Sequence, residues 1–281
     1  MGAFFTTIGF LVWKYWGRLK SLIGLQKGYK NYCDPDAFHT GHGLVNFMLN
    51  GKVDIDDAID KMVEAGVGAC QIEFCGWTAE SGSTGRNWDT ESKRVPYKRL
   101  AERCRQSKIW LFVSAYNGNG HIAKWGHDGT PPTHAQLDTV VDIIKANGPE
   151  GILLQPVGEL QAEPGYYMEK KMRRECSNFR LVWNEHSRPT SKPAGYWAFA
   201  YHPNSMGSSV PRDAIANTDT GSIIAEMSHG GTKSQRYRVD KVVEWAGRMK
   251  AQGTRAYIYG FWHQDVDPNA LEGLSRVWRH E

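Results

Sequence analysis

The chain has 281 residues and a net charge of +4, with basic and acidic residues interspersed along its length. A chain of this length can fold as one large domain, because single α/β barrels commonly run to about 250 residues. Its modest, scattered charge differs from the concentrated basic face of a nucleic-acid-binding protein, so we expect no nucleic-acid partner.

The N-terminal segment Ala3–Leu25 has the pattern of an amphipathic helix. A secretory signal carries its basic residues before the apolar stretch, whereas here Lys14, Arg18 and Lys20 follow it. The charges also come too early for a span of ~20 apolar residues. One face of the helix would hold the apolar residues Phe4, Ile8, Leu11, Trp16, Leu19 and Ile23. We expect this face to contact a membrane surface, another chain or the rest of this chain.

A turn-rich linker, Gly28–Gly43, follows the helix and contains the sequence Asp-Pro-Asp. We therefore predict a helix and linker over residues 1–43 and a catalytic domain over residues 44–281. The five cysteines are odd in number and lack the spacing of a zinc site, so we expect free thiols, most of them buried, and no disulfide framework.

Strand-like and helical patterns alternate from residue 44 to the end of the chain. The eight predicted strands are Leu44–Leu49, Ala69–Cys75, Ile109–Tyr116, Gly151–Glu159, Phe179–Glu185, Tyr196–His202, Gly221–His229 and Arg255–Trp262. The predicted helices are Asp54–Ala65, Tyr97–Gln106, Thr133–Ala146, Tyr166–Cys176, a short Val210–Ala216, Arg238–Ala251 and Asn269–Trp278, with the helix after strand five degenerate or absent. Near-continuous apolar strands joined by helices are typical of buried parallel sheets. The sequence therefore predicts a (β/α)8 TIM barrel.

The C-terminal ends of the predicted strands are unusually polar and aromatic. In such a barrel these ends form one rim, where the chemistry takes place. The rim residues proposed to bind substrate are Asn46, Glu73, Tyr116, Asn117, Trp183, Asn184, Tyr201, His202, His229 and Trp262. Glu159 closes predicted strand four and Glu226 lies near the end of predicted strand seven. They form a candidate catalytic pair, because two carboxyl groups across a cleft are the minimum required to cleave a glycosidic bond.

This arrangement resembles the superfamily of retaining glycoside hydrolases called clan A. The resemblance implies that Glu159 is the acid/base and Glu226 the nucleophile, and that Trp262 is an aromatic platform under a sugar ring. It also places Tyr201 or His202 where members contact the nucleophile. Many members have Asn directly before the acid/base, where it holds the sugar 2-hydroxyl, but here that residue is Gly158.

We therefore expect an endo-acting β-1,4-glycanase that works without a cofactor on a glucan or mannan. The 11 Trp and 12 Tyr residues favour such a substrate, because sugar rings stack on aromatic faces. A polysaccharide substrate favours an extracellular or cell-surface location. Two alternatives remain open. One is an isomerase-like barrel with a divalent metal ion, whose ligands would be Glu159, Glu185, His186, His202 and Glu226. The other is a sugar-binding barrel without turnover.

Overall fold

The computed structural model describes a parallel β-barrel and the helices around it. The described residues are 39–43, 49, 51, 53–75, 90–116, 133–149, 152–155, 163–185, 195–201, 223–227, 239–254, 256–259 and 266–279. Eight strands lie within them: β1 His39–Gly43, β2 Ala69–Cys75, β3 Trp110–Tyr116, β4 Ile152–Gln155, β5 Arg180–Glu185, β6 Ala198–Tyr201, β7 Ile223–Met227 and β8 Ala256–Tyr259.

Every strand pairs in parallel with the next one along the chain, and β1 pairs with β8 to close the barrel. Because all the strands run in one direction, their C-terminal ends meet at one rim, the end at which barrel enzymes place their sites. The predicted strands two to eight each contain an observed strand. The predicted C-terminal ends of strands four and eight, which carry Glu159 and Trp262, lie outside the described residues.

The prediction for strand one is wrong. The first barrel strand is His39–Gly43, not Leu44–Leu49, because His39 is in register with Ala256 of β8 and Gly41 with Ala69 of β2. The barrel therefore begins within the segment assigned to the linker. The N-terminal helix predicted for Ala3–Leu25 and the short helix Val210–Ala216 lie outside the described residues.

Six α-helices are described: α1 Ile55–Glu64, α2 Arg94–Ser107, α3 His134–Ala146, α4 Glu163–Glu175, α5 Val239–Ala251 and α6 Pro268–Arg279. Local sequence fixes several of their ends. The Asp54 carboxylate accepts hydrogen bonds from two first-turn amides of α1. Thr133 and Gln136 form a reciprocal capping box at the start of α3. Within the described part of the chain, no helix is long and apolar enough to span a membrane.

The main apolar core lies between the barrel and the helices. On β2 and β3 it takes every second residue, including Ile72, Phe74, Leu111 and Val113, all of which are fully buried or nearly so. The helices contribute buried residues such as Ile59 and Met62 of α1, Leu100 of α2, Val140 and Ile144 of α3, and Trp245 and Met249 of α5. Two cysteines, Cys70 and Cys104, are buried as free thiols, and Cys176 is a partly exposed one. Burial of such side chains is the main stabilising contribution to this fold.

Candidate functional site

The barrel interior is lined by the strand residues that alternate with the apolar core. On β3 the buried residues Trp110, Phe112 and Ser114 alternate with Leu111 and Val113 and do not belong to the outer apolar core. Successive residues of a strand point to opposite faces, so these three define the interior row of β3. Val182 and Ala198, buried and paired with each other, define the same row on β5 and β6.

Backbone pairing extends this interior row to three of the predicted site residues. Glu73 is in register with Ser114, Asn184 with Ala200, and Glu226 with Ile258. Ala200 is itself paired with Ile224, two residues before Glu226, so the row is continuous from β5 through β7. The positions of Glu73, Asn184 and Glu226 therefore all belong to the row that lines the barrel.

These positions also lie close to one level along the barrel axis. In a barrel of this type each interior layer takes its residues from alternate strands. Allowing for the stagger between neighbouring strands, Ser114 of β3, Asn184 of β5 and Glu226 of β7 fall in one layer. Glu73 of β2 falls one layer nearer the rim. Tyr116, two residues beyond Ser114 on the same row, is nearer the rim still.

Trp183 has a different environment from the one predicted. Its ring packs edge-on against Tyr196, with the ring centroids 5.1 Å apart and the planes at 87°. It also packs against the apolar core outside the barrel. Glu185 and Tyr201 are in register with each other and lie on the same outer row as Trp183. The structure gives Trp183 a packing role, and we do not include it in the substrate-binding set.

The remaining predicted site residues lie outside the described residues. They are Glu159, Asn46, Asn117, His202, His229 and Trp262, together with His186 of the metal alternative. β4 ends at Gln155, shortly before Glu159 in the sequence. In the part of the chain that the structure describes, no group of three or more His, Cys, Asp or Glu side chains could hold a metal ion.

Two residues near the rim were missed by the sequence analysis. Ser114 is a fully buried hydroxyl on the interior row, and only its place in an otherwise apolar strand could have indicated it. Lys93 is 5% exposed, and its ammonium group donates a hydrogen bond to the Phe74 carbonyl near the end of β2. No sequence signal distinguished Lys93 from its neighbours, because it follows a polar, Gly- and Ser-rich stretch.

The residue types at this end of the barrel suit a neutral polar ligand and acid–base chemistry. Carboxyl-bearing positions on β2 and β7 share the interior with the amide position Asn184 and the Ser114 hydroxyl. Carboxylates and amides bind sugar hydroxyls, and a carboxylate pair can transfer protons or attack an anomeric carbon.

Comparison with known proteins identifies the fold. No family model and no curated protein matches the sequence. A glycoside hydrolase of family 5 from Bacteroides vulgatus is similar in structure, with a TM-score of 0.55 and 9% identity over 79% of this chain and 57% of that one. A family 5 glycoside hydrolase from Prevotella bryantii, solved as a mutant with a xyloglucan tetradecasaccharide, has a TM-score of 0.54 and 11% identity over 90% of this chain and 99% of that one.

An endo-β-1,4-mannanase from Thermotoga petrophila is similar at a TM-score of 0.54 and 9% identity, over 88% of this chain and 77% of that one. The chain thus spans 57% of the length of the Bacteroides protein and nearly all of the Prevotella one. At these identities the likeness establishes the fold. The resemblance is confirmed as a likeness of fold.

Proposed function

We propose that this chain is a retaining glycoside hydrolase that cleaves β-1,4-linked polysaccharides, glucan or mannan, within the chain. The observation that carries the proposal is the place of Glu226 on β7, in the interior layer shared with Asn184 and Ser114. Glu159 closely follows the end of β4 in the sequence, which supports its assignment as the second catalytic carboxyl group at the rim. The fold, shared with structures described as family 5 glycoside hydrolases and a mannanase, supports the reaction class.

The mechanism we propose has two displacements. Glu226 attacks the anomeric carbon and forms a glycosyl ester, while Glu159 protonates the departing glycosidic oxygen. Glu159 then removes a proton from water, which attacks the same carbon and releases both the sugar and the Glu226 carboxylate. This route requires the two carboxyl groups to lie ~5–5.5 Å apart, whereas an inverting pair lies ~6.5–9.5 Å apart.

The substrate would lie across the rim of the barrel. We propose that it contacts Asn46, Glu73, Tyr116, Asn117, Asn184, His202, His229 and Trp262. Tyr201 is left out with Trp183, because its position belongs to the outer row of β6. Trp262 would stack against a sugar face, because aromatic rings bind the apolar faces of sugars. The Prevotella structure contains a xyloglucan fragment and the Thermotoga protein is described as a mannanase, so both polymers belong in the first screen.

The six described helices and the predicted short helix Val210–Ala216 surround the strands in the proposed (β/α)8 architecture. The predicted amphipathic helix precedes this barrel at the N-terminus. We propose that residues 3–25 attach the barrel to a membrane surface or another protein and take no part in the reaction. Deleting residues 1–30 should change solubility or assembly and leave turnover largely intact. Loss of turnover in a folded deletion variant would contradict this separation.

The decisive experiment is a screen of the purified protein against soluble β-glucans, mannans and xyloglucan. Endo cleavage predicts a rapid fall in viscosity and a ladder of oligosaccharides. Release of monosaccharide alone would overturn the endo assignment. A divalent metal ion found in stoichiometric amount in the purified protein, together with no cleavage of any polysaccharide, would favour the isomerase-like alternative. Binding without turnover would favour the sugar-binding one.

Substitutions then assign the two carboxyl groups. Glu226→Ala should reduce turnover to background. Glu159→Ala should retain activity on substrates with good leaving groups, and azide should accelerate it by replacing water. Glu64→Ala is the matched control, because Glu64 is exposed at the end of α1, outside the barrel. Full activity of Glu226→Ala would refute the assignment of the nucleophile.

A further inference from the structure

We propose that Cys70 and Cys104 are the two ends of an intrachain disulfide that forms when the protein folds in an oxidising compartment. The bond would join β2 to α2 and hold this helix against the barrel. Neither cysteine takes part in the proposed reaction, so the inference does not depend on the substrate.

Backbone hydrogen bonds bring the two cysteines close together. The Cys104 carbonyl oxygen, in the last turn of α2, accepts a hydrogen bond from the Ile109 amide at 2.8 Å. The next residue, Trp110, begins β3 and donates to the Gly68 carbonyl oxygen at 2.8 Å. Gly68 directly precedes β2, in which Cys70 is the second residue. The end of α2 is thereby fixed beside the start of β2.

A second contact places the cysteines independently, because β2 and α2 run in opposite directions. Near the rim, Phe74 of β2 and Tyr97 of α2 contact each other with their ring centroids 4.8 Å apart. Cys70 lies on the same outer row as Phe74, ~13 Å back along the strand. Cys104 lies two helical turns after Tyr97 on the same helix face, ~10 Å along the axis. Counted from this contact, the two cysteines therefore reach the same level.

The two side chains meet inside the apolar core. Cys70 and Cys104 are free thiols with no exposed surface, and both belong to the core between the barrel and the helices. A hydrogen bond joins the two thiol groups. A disulfide requires their sulfur atoms to approach from hydrogen-bond distance to ~2.05 Å. Because strand and helix are already in contact here, side-chain rotation and a small shift of the last turn of α2 supply this approach.

The bond forms by exchange with a low-molecular-weight disulfide such as oxidised glutathione. The thiolate of one cysteine attacks a sulfur atom of glutathione disulfide, whose S–S bond breaks, and one glutathione leaves as a thiolate. The second cysteine then attacks the protein sulfur of this mixed disulfide, and the second glutathione leaves. Two cysteine thiols are oxidised, one glutathione disulfide is reduced to two thiols, and the two cysteine protons pass to them.

The exchange takes place before the core closes. In the folded protein the hydrogen bond with Cys70, together with burial, raises the pKa of the Cys104 thiol, so little reactive thiolate is present. An oxidant also has no access to a thiol without exposed surface. A chain that folds in reducing surroundings therefore keeps both thiols, as in the structure, whereas one that folds in oxidising surroundings acquires the bond.

The test is to refold the full chain with a mixture of oxidised and reduced glutathione, and separately with a reductant. Peptide mapping of the oxidised product without reduction should find Cys70 joined to Cys104, with a mass lower than that of the reduced protein by two hydrogen atoms. The oxidised product should also unfold at a Tm about 5–10 °C higher, because the bond closes a loop of about 35 residues in the unfolded chain.

Substitutions show whether this pair causes the difference in Tm between oxidised and reduced samples. Each variant is compared with its own reduced form, so any loss of core packing cancels. Cys104→Ala and Cys70→Ala should each abolish the difference. If either fails to fold, substitution of the same cysteine by Val keeps the apolar volume and gives the same readout. Cys176→Ser is the matched control, because Cys176 is a partly exposed thiol that directly follows α4, and it should keep the full difference.

Three results would overturn the inference. In the first, Cys70 and Cys104 of the oxidised product are both alkylated after unfolding without a reductant. In the second, mapping finds a disulfide between a different pair of cysteines. In the third, Cys104→Ala shows the same difference in Tm between its oxidised and reduced forms as the parent protein.

Discussion

The close contact between α5 and α6 decides whether a substitution of Gly273 stabilises or destabilises the protein. Gly273 lies in α6, and a methyl group added there would stand 2.7 Å from Cβ and 2.8 Å from Cγ1 of Val242 in α5. It would also approach the backbone oxygen of Val239 to 3.1 Å. Gly273 thus lets the two helices pack closely, and we predict that Gly273→Ala destabilises the barrel.

Two opposing effects set the magnitude. Replacing Gly by Ala inside a helix normally stabilises it by about 1 kcal/mol. Overpacking a close helix contact costs about 1–3 kcal/mol. The clash involves Cβ of a β-branched residue and a backbone oxygen, neither of which can rotate away, so the upper part of that range applies. We expect a net loss of about 1–2 kcal/mol, or a decrease in Tm of roughly 2–8 °C.

The matched control is Gly247→Ala in α5. A methyl group at Gly247 would meet no atom within 4 Å, so only the helix-propensity effect remains. This variant should be stabilised by about 0.5–1 kcal/mol. Urea or thermal unfolding of both variants against the parent protein measures the two values. The reasoning is refuted if Gly273→Ala is stabilised to the same extent as Gly247→Ala.

Two further predictions concern titratable groups outside the site. Burial would raise the pKa of Asp138, but hydrogen bonds from Lys171 and Tyr167 outweigh it and hold the pKa below its usual value. The interaction of ionised Asp138 with Lys171 therefore stabilises the folded state above about pH 4, and this stabilisation is lost as the pH falls through the lowered pKa. Asp138→Asn should lower the free energy of unfolding by ~0.5 kcal/mol at pH 7, the typical value of an exposed ion pair, and by less at pH 3. Equal losses in urea unfolding at both pH values would refute this. A hydrogen bond with Cys70, together with burial, raises the pKa of the Cys104 thiol well above its usual value. Alkylation followed by peptide mapping should therefore label Cys104 only after unfolding, and rapid labelling of the native protein would contradict the assignment.

The sequence alone determined most of the elements, because their signals are local. A helix whose apolar residues recur every three or four positions and that starts at a Thr cap is readable without tertiary contacts, and α3 begins directly after Thr133 as predicted. The apolar run of β3 is equally clear. The alternation of such elements was enough to predict a parallel barrel and to assign Glu226 to β7.

Only the tertiary structure located β1, because its sequence His-Thr-Gly-His-Gly has no strand pattern. These residues become a strand because β2 and β8 lie on either side and both offer backbone hydrogen-bond partners. Closure of the barrel thereby satisfies the backbone N–H and C=O groups of β1. In near-continuous apolar runs the sequence does not show which residues face the barrel interior and which face the helices. Trp183 was therefore predicted to bind substrate, although it packs against the apolar core outside the barrel. The burial of Lys93 depends on α2 packing against the end of β2, a contact between residues far apart in the chain that no local pattern encodes.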